Sequence, residues 1–267
     1  LGDPEAIVGT QPFREFARTV PQVLIHPPTA RLYPQFVETI RTRLVELALS
    51  DQRLGIAIVG PMYGGSLPMA SYIERAFRRL GHRTLLIDNS VAWDFYQILT
   101  NSVKKKPVSN QLTEQLLVLL GDWSYARVAE FTADICLVMA QAPVSPTFPV
   151  RLREHGVVVA FWFIENWRHF SYWQAIAPQY DYFFHIQPGE FDQRLREIGC
   201  QRHACVPMAC DPEIHKPVEL SEEEQREFQC DISFAGAGYP NRSQLFSGLT
   251  DYKFKIWGVN WNAPELK

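Results

Sequence analysis

The sequence predicts an α/β protein built on a doubly wound parallel sheet, and three features of the chain support this. Short, almost wholly apolar segments recur along it, as in strands that are buried on both faces of a sheet. Amphipathic segments with helical spacing alternate with them, and glycine-containing turns join strand to helix. The chain has 267 residues, of which 46% are hydrophobic and 21% charged, so a disordered or fibrous protein is excluded.

The charge and cysteine content limit the kinds of binding partner and the cellular location that we expect for this protein. The 26 Lys and Arg residues are outnumbered by 29 Asp and Glu residues, so we expect no nucleic-acid partner. The longest solidly apolar segment, residues 156–164, is far shorter than the ~20 residues of a membrane-spanning helix, and we expect no transmembrane segment. An odd number of cysteines, five, favours reduced thiols and a cytoplasmic location.

The first 88 residues are predicted to contain an irregular arm, one helix and then a regular alternation of strand and helix. Residues 1–50 are predicted to form an arm followed by an amphipathic helix over 34–49. An apolar strand over 54–59 comes next, then a turn and a helix over 67–80 that Gly81 ends. A second strand over 83–88 completes a βαβ crossover, so these strands should be parallel.

The same alternation continues to residue 210 and predicts one Rossmann-like domain over 51–210. The remaining strands are predicted at 135–139, 157–163, 182–186 and 204–208. The helices between them are predicted at 110–131, 150–155, 167–177 and 190–198. In such a sheet, ligands bind beyond the carboxyl ends of the strands.

A connector interrupts the alternation of strands and helices, which then begins again. Residues 211–229 are rich in Pro and Glu and are predicted to be a connector with one helix over 221–228. A strand over 230–235, a helix over 242–249 and a strand over 254–257 follow. Residues 230–267 are therefore predicted to begin a second Rossmann-like domain that this chain does not complete.

Two candidate ligand-binding positions lie in the first βαβ unit. Gly64, Gly65 and Ser66 precede a helix, where backbone amides and the helix N-terminus favour a phosphate. The segment lacks both the G-x-G-x-x-G pattern and the lysine of a P-loop, and a plain tight turn is the alternative. Asp88 ends the second strand, where a dinucleotide fold places its ribose-binding acid; a helix cap is the alternative.

Polar residues also follow the later strands. Gln141 comes after the third strand, Glu165 after the fourth, and His185 ends the fifth. Because the carboxyl ends of parallel strands share one edge, these side chains should point into one cleft. Glu165 follows an apolar segment, so desolvation would suit it to acid or base chemistry, and His185 is the other candidate. Cap or turn roles are the alternatives for each.

Two further clusters contain residues that could bind a ligand or a metal. The aromatic residues between 161 and 173 are interpreted mainly as core, while Trp93 is the more exposed candidate for stacking on a sugar or base. The segment 200–215 contains three cysteines and two histidines: Cys200, His203, Cys205, Cys210 and His215. Their spacing is not the paired Cys-x2-Cys of a zinc module, and strand alternation separates them, so no metal site is predicted.

The last candidate follows the first strand of the predicted second domain. Gly236 opens a turn, and Asn241 and Arg242 begin the next helix. A guanidinium group and a helix N-terminus there would suit a diphosphate. The alternative for Arg242 is an exposed helix charge.

Several of these segments occur together in an order found in a known family. They are Gly64-Gly-Ser66, Leu80-Gly-His82, Trp162-Phe-Ile-Glu-Asn166, Tyr180-Asp-Tyr182, the segment 209–217, Asp231-Ile-Ser-Phe-Ala-Gly236 and Asn241-Arg242. From residue 54 to its end, the chain resembles the CgeB-like (spore-maturation type) glycosyltransferases, bacterial enzymes with the two-domain GT-B architecture. Glu165-Asn166 departs from the paired aspartates expected in many relatives.

The resemblance implies transfer of a sugar from a nucleotide-sugar donor, without a catalytic metal or a separate cofactor. The acceptor, which could be a sugar, lipid or protein, would bind the first domain and the donor the second. Arg242 and the turn at Gly64 to Ser66 would face the diphosphate, and Glu165 or His185 would orient or deprotonate the acceptor. With most of the second domain missing, we expect residues 1–267 alone to be inactive.

Two other functions remain open from the sequence. One is an NAD-dependent oxidoreductase that holds the cofactor with the turn at residues 60–66 and Asp88. The other is a binding or scaffold protein without catalysis.

Overall fold

The computed structural model describes residues 53–262, which form two compact units. The first unit ends at Asp211, and the second begins at Pro212. The predicted arm and amphipathic helix within residues 1–50 lie outside the described residues. No helix in the described range is both long and apolar enough to cross a lipid bilayer.

The first unit contains one parallel sheet of six strands in the order β2-β1-β3-β4-β5-β6. The strands are β1 (Gly55–Val59), β2 (Arg83–Ile87), β3 (Ile135–Met139), β4 (Val158–Phe163), β5 (Tyr182–His185) and β6 (His203–Cys205). The prediction of a doubly wound parallel α/β sheet is therefore confirmed. Strand β1 lies between β2 and β3 and all five of its residues are buried, which explains its unbroken apolar sequence.

Helices connect successive strands. They are α1 (Leu67–Arg79), α2 (Trp93–Ser102), α3 (Lys106–Phe131), α4 (Phe148–Arg153), α5 (Trp173–Ile176) and α6 (Glu190–Glu197). Short 3-10 turns occur at Asn89–Ala92 and Ala177–Gln179. Helix α1 has a proline in its first turn, and Gly81, with φ of +85°, follows its end.

Two hydrophobic clusters cover the two faces of this sheet. On one face Ala57 and Val59 pack with residues from the later helices, among them Phe148, Leu152 and Phe191. On the other face Ile56 and Ile58 pack with Met69 and Ala70 of α1. Alternate residues of β1 thus enter opposite clusters, as expected for a strand between two helical layers.

An aspartate directly before a strand ties that strand to its neighbour, and this occurs in both units. Asp134 accepts a hydrogen bond from the Gly55 amide at 2.7 Å, and Asp181 accepts one from the Val159 amide at 2.9 Å. In the second unit Asp231 accepts one from the Lys253 amide at 2.8 Å. Each carboxylate satisfies an amide at the start of a strand pair, where the ladder has no backbone acceptor to offer.

Asp211 closes the first unit. Its buried carboxylate receives hydrogen bonds from Arg75 at 2.8 and 2.9 Å and from Arg79 at 3.0 Å. Both arginines lie on α1, so the end of the unit is bound to its first helix. The sequence interpretation placed residue 211 in the connector and missed this role.

The second unit is a βαβ crossover preceded by a short helix. Its elements are α7 (Glu222–Phe228), β7 (Ile232–Ala235), α8 (Pro240–Phe246), a 3-10 turn (Ser247–Leu249) and β8 (Phe254–Trp257). Strands β7 and β8 are parallel, with Ile232 beside Phe254. Phe234, Phe246, Phe254 and Trp261 form its aromatic centre.

Some predicted elements were wrong or misplaced. Helix α2 was not predicted, because its exposed apolar residues Phe95 and Ile98 obscure the amphipathic pattern. The helix predicted over 167–177 is only the four-residue α5 and a 3-10 turn. The sixth strand begins and ends earlier than the predicted 204–208.

Candidate functional site

The candidate site lies where the direction of strand winding reverses. Strand β1 has β2 on one side and β3 on the other, so the connections leaving β1 and β3 diverge to opposite faces. This arrangement opens a crevice at the carboxyl edge, the usual ligand position in doubly wound folds. The turn after β1 and the residues that follow β3 and β4 all reach this edge.

Glu165 is the centre of a hydrogen-bonded cluster at this edge. Its Oε1 accepts a hydrogen bond from Gln141 Nε2 at 2.6 Å, and its Oε2 accepts one from the Tyr172 hydroxyl at 2.5 Å. Burial, together with the hydrogen bond to Glu165, raises the pKa of Tyr172, so this hydroxyl stays a donor. The carboxylate is thus held in one orientation but keeps lone pairs for a ligand, because each oxygen can accept a second bond.

Backbone conformation explains why a glycine stands next to this cluster. Gly64 has φ of +100°, and a Cβ at this position would lie 2.6 Å from Gln141 Oε1. Gln141 itself has φ of +65°, a conformation that non-glycine residues rarely adopt and that is enriched at functional sites. Gly65 has open space around it, and Ser66 precedes α1 without capping it through its side chain.

An aromatic stack continues from the same turn. The exposed ring of Tyr63 stacks on Trp93 with centroids 4.8 Å apart, and Trp93 stacks on Tyr96 at 5.6 Å. Trp93, predicted as the exposed aromatic, is half-buried between these two tyrosines. The exposed member is Tyr63, which sequence reasoning did not select. Flat rings with an open face suit stacking against a sugar or a base.

A cavity of about 240 Å³ lies between the turn after β1 and the end of β2. Its lining residues are Gly60, Pro61, Leu67, Pro68, Ala70, Ser71, Leu86, Asp88 and Ser90. Asp88 Oδ1 accepts hydrogen bonds from the Ser90 amide at 3.0 Å and the Ser90 hydroxyl at 2.6 Å. Asp88 therefore caps the 3-10 turn that follows β2 and also lines the cavity.

His185 occupies a different environment from Glu165. Its side chain is fully buried, with Nδ1 3.1 Å from the Gln187 carbonyl oxygen and Nε2 3.0 Å from Asp192 Oδ1. Burial lowers the pKa of His185. The structure therefore does not bring His185 to the open surface that Glu165 and Tyr63 share.

The candidate residues of the second unit form their own local arrangement. The guanidinium group of Arg242 donates a hydrogen bond to the Ala237 carbonyl oxygen at 2.7 Å and lies over the rings of Phe234 and Tyr239. Gly236, at φ of +157°, packs against the Phe234 ring and leaves little space for a Cβ. Asn241 is exposed in the first turn of α8.

Sequence reasoning missed Tyr172, which it grouped with the core aromatic residues. Tyr172 packs its ring on Phe163 at 5.5 Å, but its hydroxyl reaches Glu165. The available signal was its position within seven residues of Glu165, in a segment that was interpreted as helix. A loop there turns the ring back toward the carboxyl edge.

Comparison of the chain with protein-family models and with curated proteins gives no match. Among solved structures, the chain is similar to a glycosyltransferase from Rickettsia africae ESF-5, with 12% sequence identity. The similarity covers 81% of this chain and 71% of that chain, with a TM-score of 0.42. The functional conclusion therefore depends on the residues of the site.

Those residues combine an oriented carboxylate with an exposed aromatic face. A carboxylate in this position can accept a proton from, or orient, a hydroxyl group that approaches the edge of the sheet. The stack of Tyr63, Trp93 and Tyr96 can hold a flat apolar face beside it.

Proposed function

We propose that this protein is a glycosyltransferase in which Glu165 acts on the hydroxyl group of the acceptor. The observation that carries the proposal is the Glu165 carboxylate, fixed by Gln141 and Tyr172 beside the glycine turn at the sheet's switch point. The stack of Tyr63 and Trp93 next to that turn supports a sugar or nucleoside ligand, because C–H faces and bases both pack on aromatic rings.

The proposed reaction transfers a glycosyl group from a nucleotide sugar. The acceptor oxygen attacks the anomeric carbon and its proton passes to a Glu165 oxygen. The bond from the anomeric carbon to the diphosphate breaks, and its electron pair leaves with the nucleoside diphosphate. Following the family resemblance, the transfer step uses no metal. Glu165 is preferred to His185 as the base, because the His185 side chain is fully buried.

The departing diphosphate requires a positive group that neutralises its charge. The sequence interpretation gave this task to Arg242, Asn241 and Gly236, with Gly64, Gly65 and Ser66 as a second group. Arg242 uses one of its nitrogen donors on the Ala237 carbonyl, and four of the five N–H donors of a guanidinium group are then left for other acceptors. We therefore keep Arg242 as the proposed diphosphate contact.

Ligand binding to the 267-residue chain tests the proposal independently of turnover. UDP, GDP, ADP, TDP, their sugar conjugates and NAD are added separately, and thermal unfolding is followed. A ligand present at 100 times its dissociation constant should stabilise the protein by about 2.7 kcal/mol. We expect a nucleoside diphosphate or nucleotide sugar to do so. Stabilisation by NAD alone would favour the oxidoreductase, and stabilisation by none would contradict nucleotide binding by this chain.

Two variants separate the ligand site from the base. Trp93→Ala should weaken binding of the stabilising ligand, whereas Trp123→Ala, at an exposed tryptophan on α3, should not. Glu165→Gln keeps the shape of the side chain but cannot accept a proton. In the whole protein it should retain ligand binding and lower transfer by about 100-fold or more. Unchanged transfer in Glu165→Gln would exclude Glu165 as the base.

A further inference from the structure

Three potential metal ligands meet beside the last two strands of the sheet. His185 ends β5, His203 begins β6 and Asp192 lies in the first turn of α6. One ligand atom from each lies within 4.8 Å of the other two. Both histidines are buried, and Asp192 is half-buried, so the group is not an exposed acidic cluster.

The separations of these atoms fit a single coordinated ion. Asp192 Oδ1 lies 3.0 Å from His185 Nε2 and 3.3 Å from His203 Nδ1. Ligand atoms bound to zinc at 2.0–2.1 Å in a tetrahedron are about 3.3 Å from one another. Two of the three separations thus match that geometry, and the ligand atoms of the two histidines lie within 4.8 Å of each other.

The hydrogen bonding of His185 is the second, independent observation. Its Nδ1 lies 3.1 Å from the Gln187 carbonyl oxygen, which can only accept, so the ring hydrogen belongs on Nδ1. In that tautomer Nε2 carries a lone pair, yet it faces a carboxylate oxygen 3.0 Å away without hydrogen-bond geometry. Two acceptors in a buried contact repel unless a positive species lies between them.

The surroundings match the outer shell of a metal site. A metal-binding histidine usually donates its other ring hydrogen to a backbone carbonyl, as His185 is placed to do to Gln187. A metal-binding carboxylate is usually hydrogen-bonded as well, and Asp192 Oδ2 accepts from the Gly189 amide at 2.6 Å. The Phe191 ring packs edge-on against His185 at 5.0 Å and excludes water from that side.

We infer that His185, Asp192 and His203 form a binding site for one divalent transition-metal ion, with zinc as the expected occupant. Two imidazole nitrogens and one carboxylate oxygen are a ligand set that zinc accepts, with one further coordination position open. The ion would join α6 to β5 and β6, and so stabilise the last third of the sheet. This site is separate from the transfer chemistry proposed for Glu165.

The sequence interpretation considered only the cysteine-rich segment 200–215 and predicted no metal. His203 belongs to that segment, but its partners come from β5 and α6. Cys205 is two residues further along β6 and is the register partner of His185, so strand alternation places it on the same face of the sheet as His203 and His185. The thiol of Cys205 is not part of the three-ligand group, and a water molecule would complete the coordination.

Metal content provides the test. The 267-residue chain is purified with a tag that does not chelate metals, and its metal content is measured by inductively coupled plasma mass spectrometry, as purified and after equimolar Zn²⁺. We expect about one zinc ion per chain, a lower thermal midpoint after chelation and recovery on adding Zn²⁺. Substoichiometric metal in both samples would overturn the proposal.

Variants and cobalt assign the ligands. Asp192→Asn and His203→Gln should each weaken zinc binding at least about tenfold, while His169→Gln, at an exposed histidine, should not. If either ligand variant fails to fold, the wild-type chain still gives the answer, because Co²⁺ bound by imidazole nitrogens has a characteristic visible spectrum. Absence of that spectrum would overturn the proposal. So would nitrogen NMR showing both His185 nitrogens protonated with and without Zn²⁺, since this would indicate a plain ion pair.

Discussion

Each unit of the molecule has a glycine-containing turn between an apolar strand and a helix, but the two turns serve different ends. After β1, Gly64 lies against the side chain of Gln141, which donates to Glu165, and the same turn carries the exposed Tyr63. After β7, Gly236 lies against the Phe234 ring, and Arg242 donates to the carbonyl of its own turn. The first turn presents polar groups outward, and the second uses its polar groups to hold itself together.

The sheets that carry the turns account for this difference. Strand β1 is buried along its whole length in a sheet of six strands, so the fold does not need the turn for stability. Strand β7 alternates between half-buried and exposed residues in a sheet of two strands. Two-stranded sheets are marginal in water, so the loop must supply contacts that the sheet lacks. Similar strand–turn–helix patterns can therefore differ in how far the turn itself stabilises its unit, and in the second unit Arg242 spends one of its donors on that task.

The largest effect is expected at Gly258, which contacts the second turn. A Cβ there would lie 2.0 Å from the Gly236 carbonyl oxygen, and the residue has φ of +151°. Gly258→Ala should destabilise the second unit by about 3 kcal/mol or more, because backbone must move and the new side chain is strained. Faster hydrogen exchange of the β7 and β8 amides would report it.

Gly248→Ala is the matched control, because nothing lies within 4 Å of the Cβ it would add. Equal exchange rates in the two variants would contradict the structural role assigned to the second turn.

A smaller effect is expected at Gly64 in the first turn. Gly64→Ala places its Cβ against the end of a flexible side chain, Gln141, rather than against backbone. The positive φ should lower the free energy of unfolding by about 2 kcal/mol, measured by urea denaturation. Moving Gln141 away from Glu165 should also weaken binding of the stabilising nucleotide.

Gly65→Ala, in open space one residue later, should leave the free energy of unfolding unchanged. If both alanine variants keep the same nucleotide affinity as the wild type, the turn after β1 is not part of a ligand site.

The sequence predicts well the strands whose side chains are buried on both faces of the sheet. Strand β3 was predicted at its observed bounds, and β1 and β4 within one residue, because strands covered on both faces are continuously apolar. Helix α2 was missed because several of its apolar residues, including Phe95 and Ile98, face solvent. Local pattern does not report burial that depends on elements distant in the chain.

In the candidate site too, some contacts can be predicted from the sequence and others cannot. Parallel-strand geometry places Gln141 and Glu165 at one edge, which is a consequence of topology alone. The hydrogen bond from Tyr172 depends on a loop, and the contact between His185 and Asp192 on the docking of α6. Neither follows from spacing, because the side chains that meet belong to elements whose relative positions tertiary packing decides.

The third prediction concerns whether Arg242 stabilises the turn that precedes its helix. Arg242→Ala removes a charge-assisted hydrogen bond to Ala237 and two cation–π contacts, and should destabilise the second unit by about 1.5 kcal/mol. Faster exchange of the β7 amides should accompany it. Unchanged exchange together with lost nucleotide binding would instead assign Arg242 to the diphosphate alone.

The smallest effect is expected at Tyr172, where one hydroxyl group orients Glu165. Tyr172→Phe keeps the ring packed on Phe163 but removes the hydrogen bond to Glu165 Oε2. Losing one such bond should lower transfer by the whole protein about fivefold, equivalent to about 1 kcal/mol, with nucleotide affinity nearly unchanged. Tyr182→Phe is the control for loss of a tyrosine hydroxyl away from Glu165. A drop in affinity rather than in rate would mean that Tyr172 contacts the ligand directly, and an equal drop in both variants would remove it from the site.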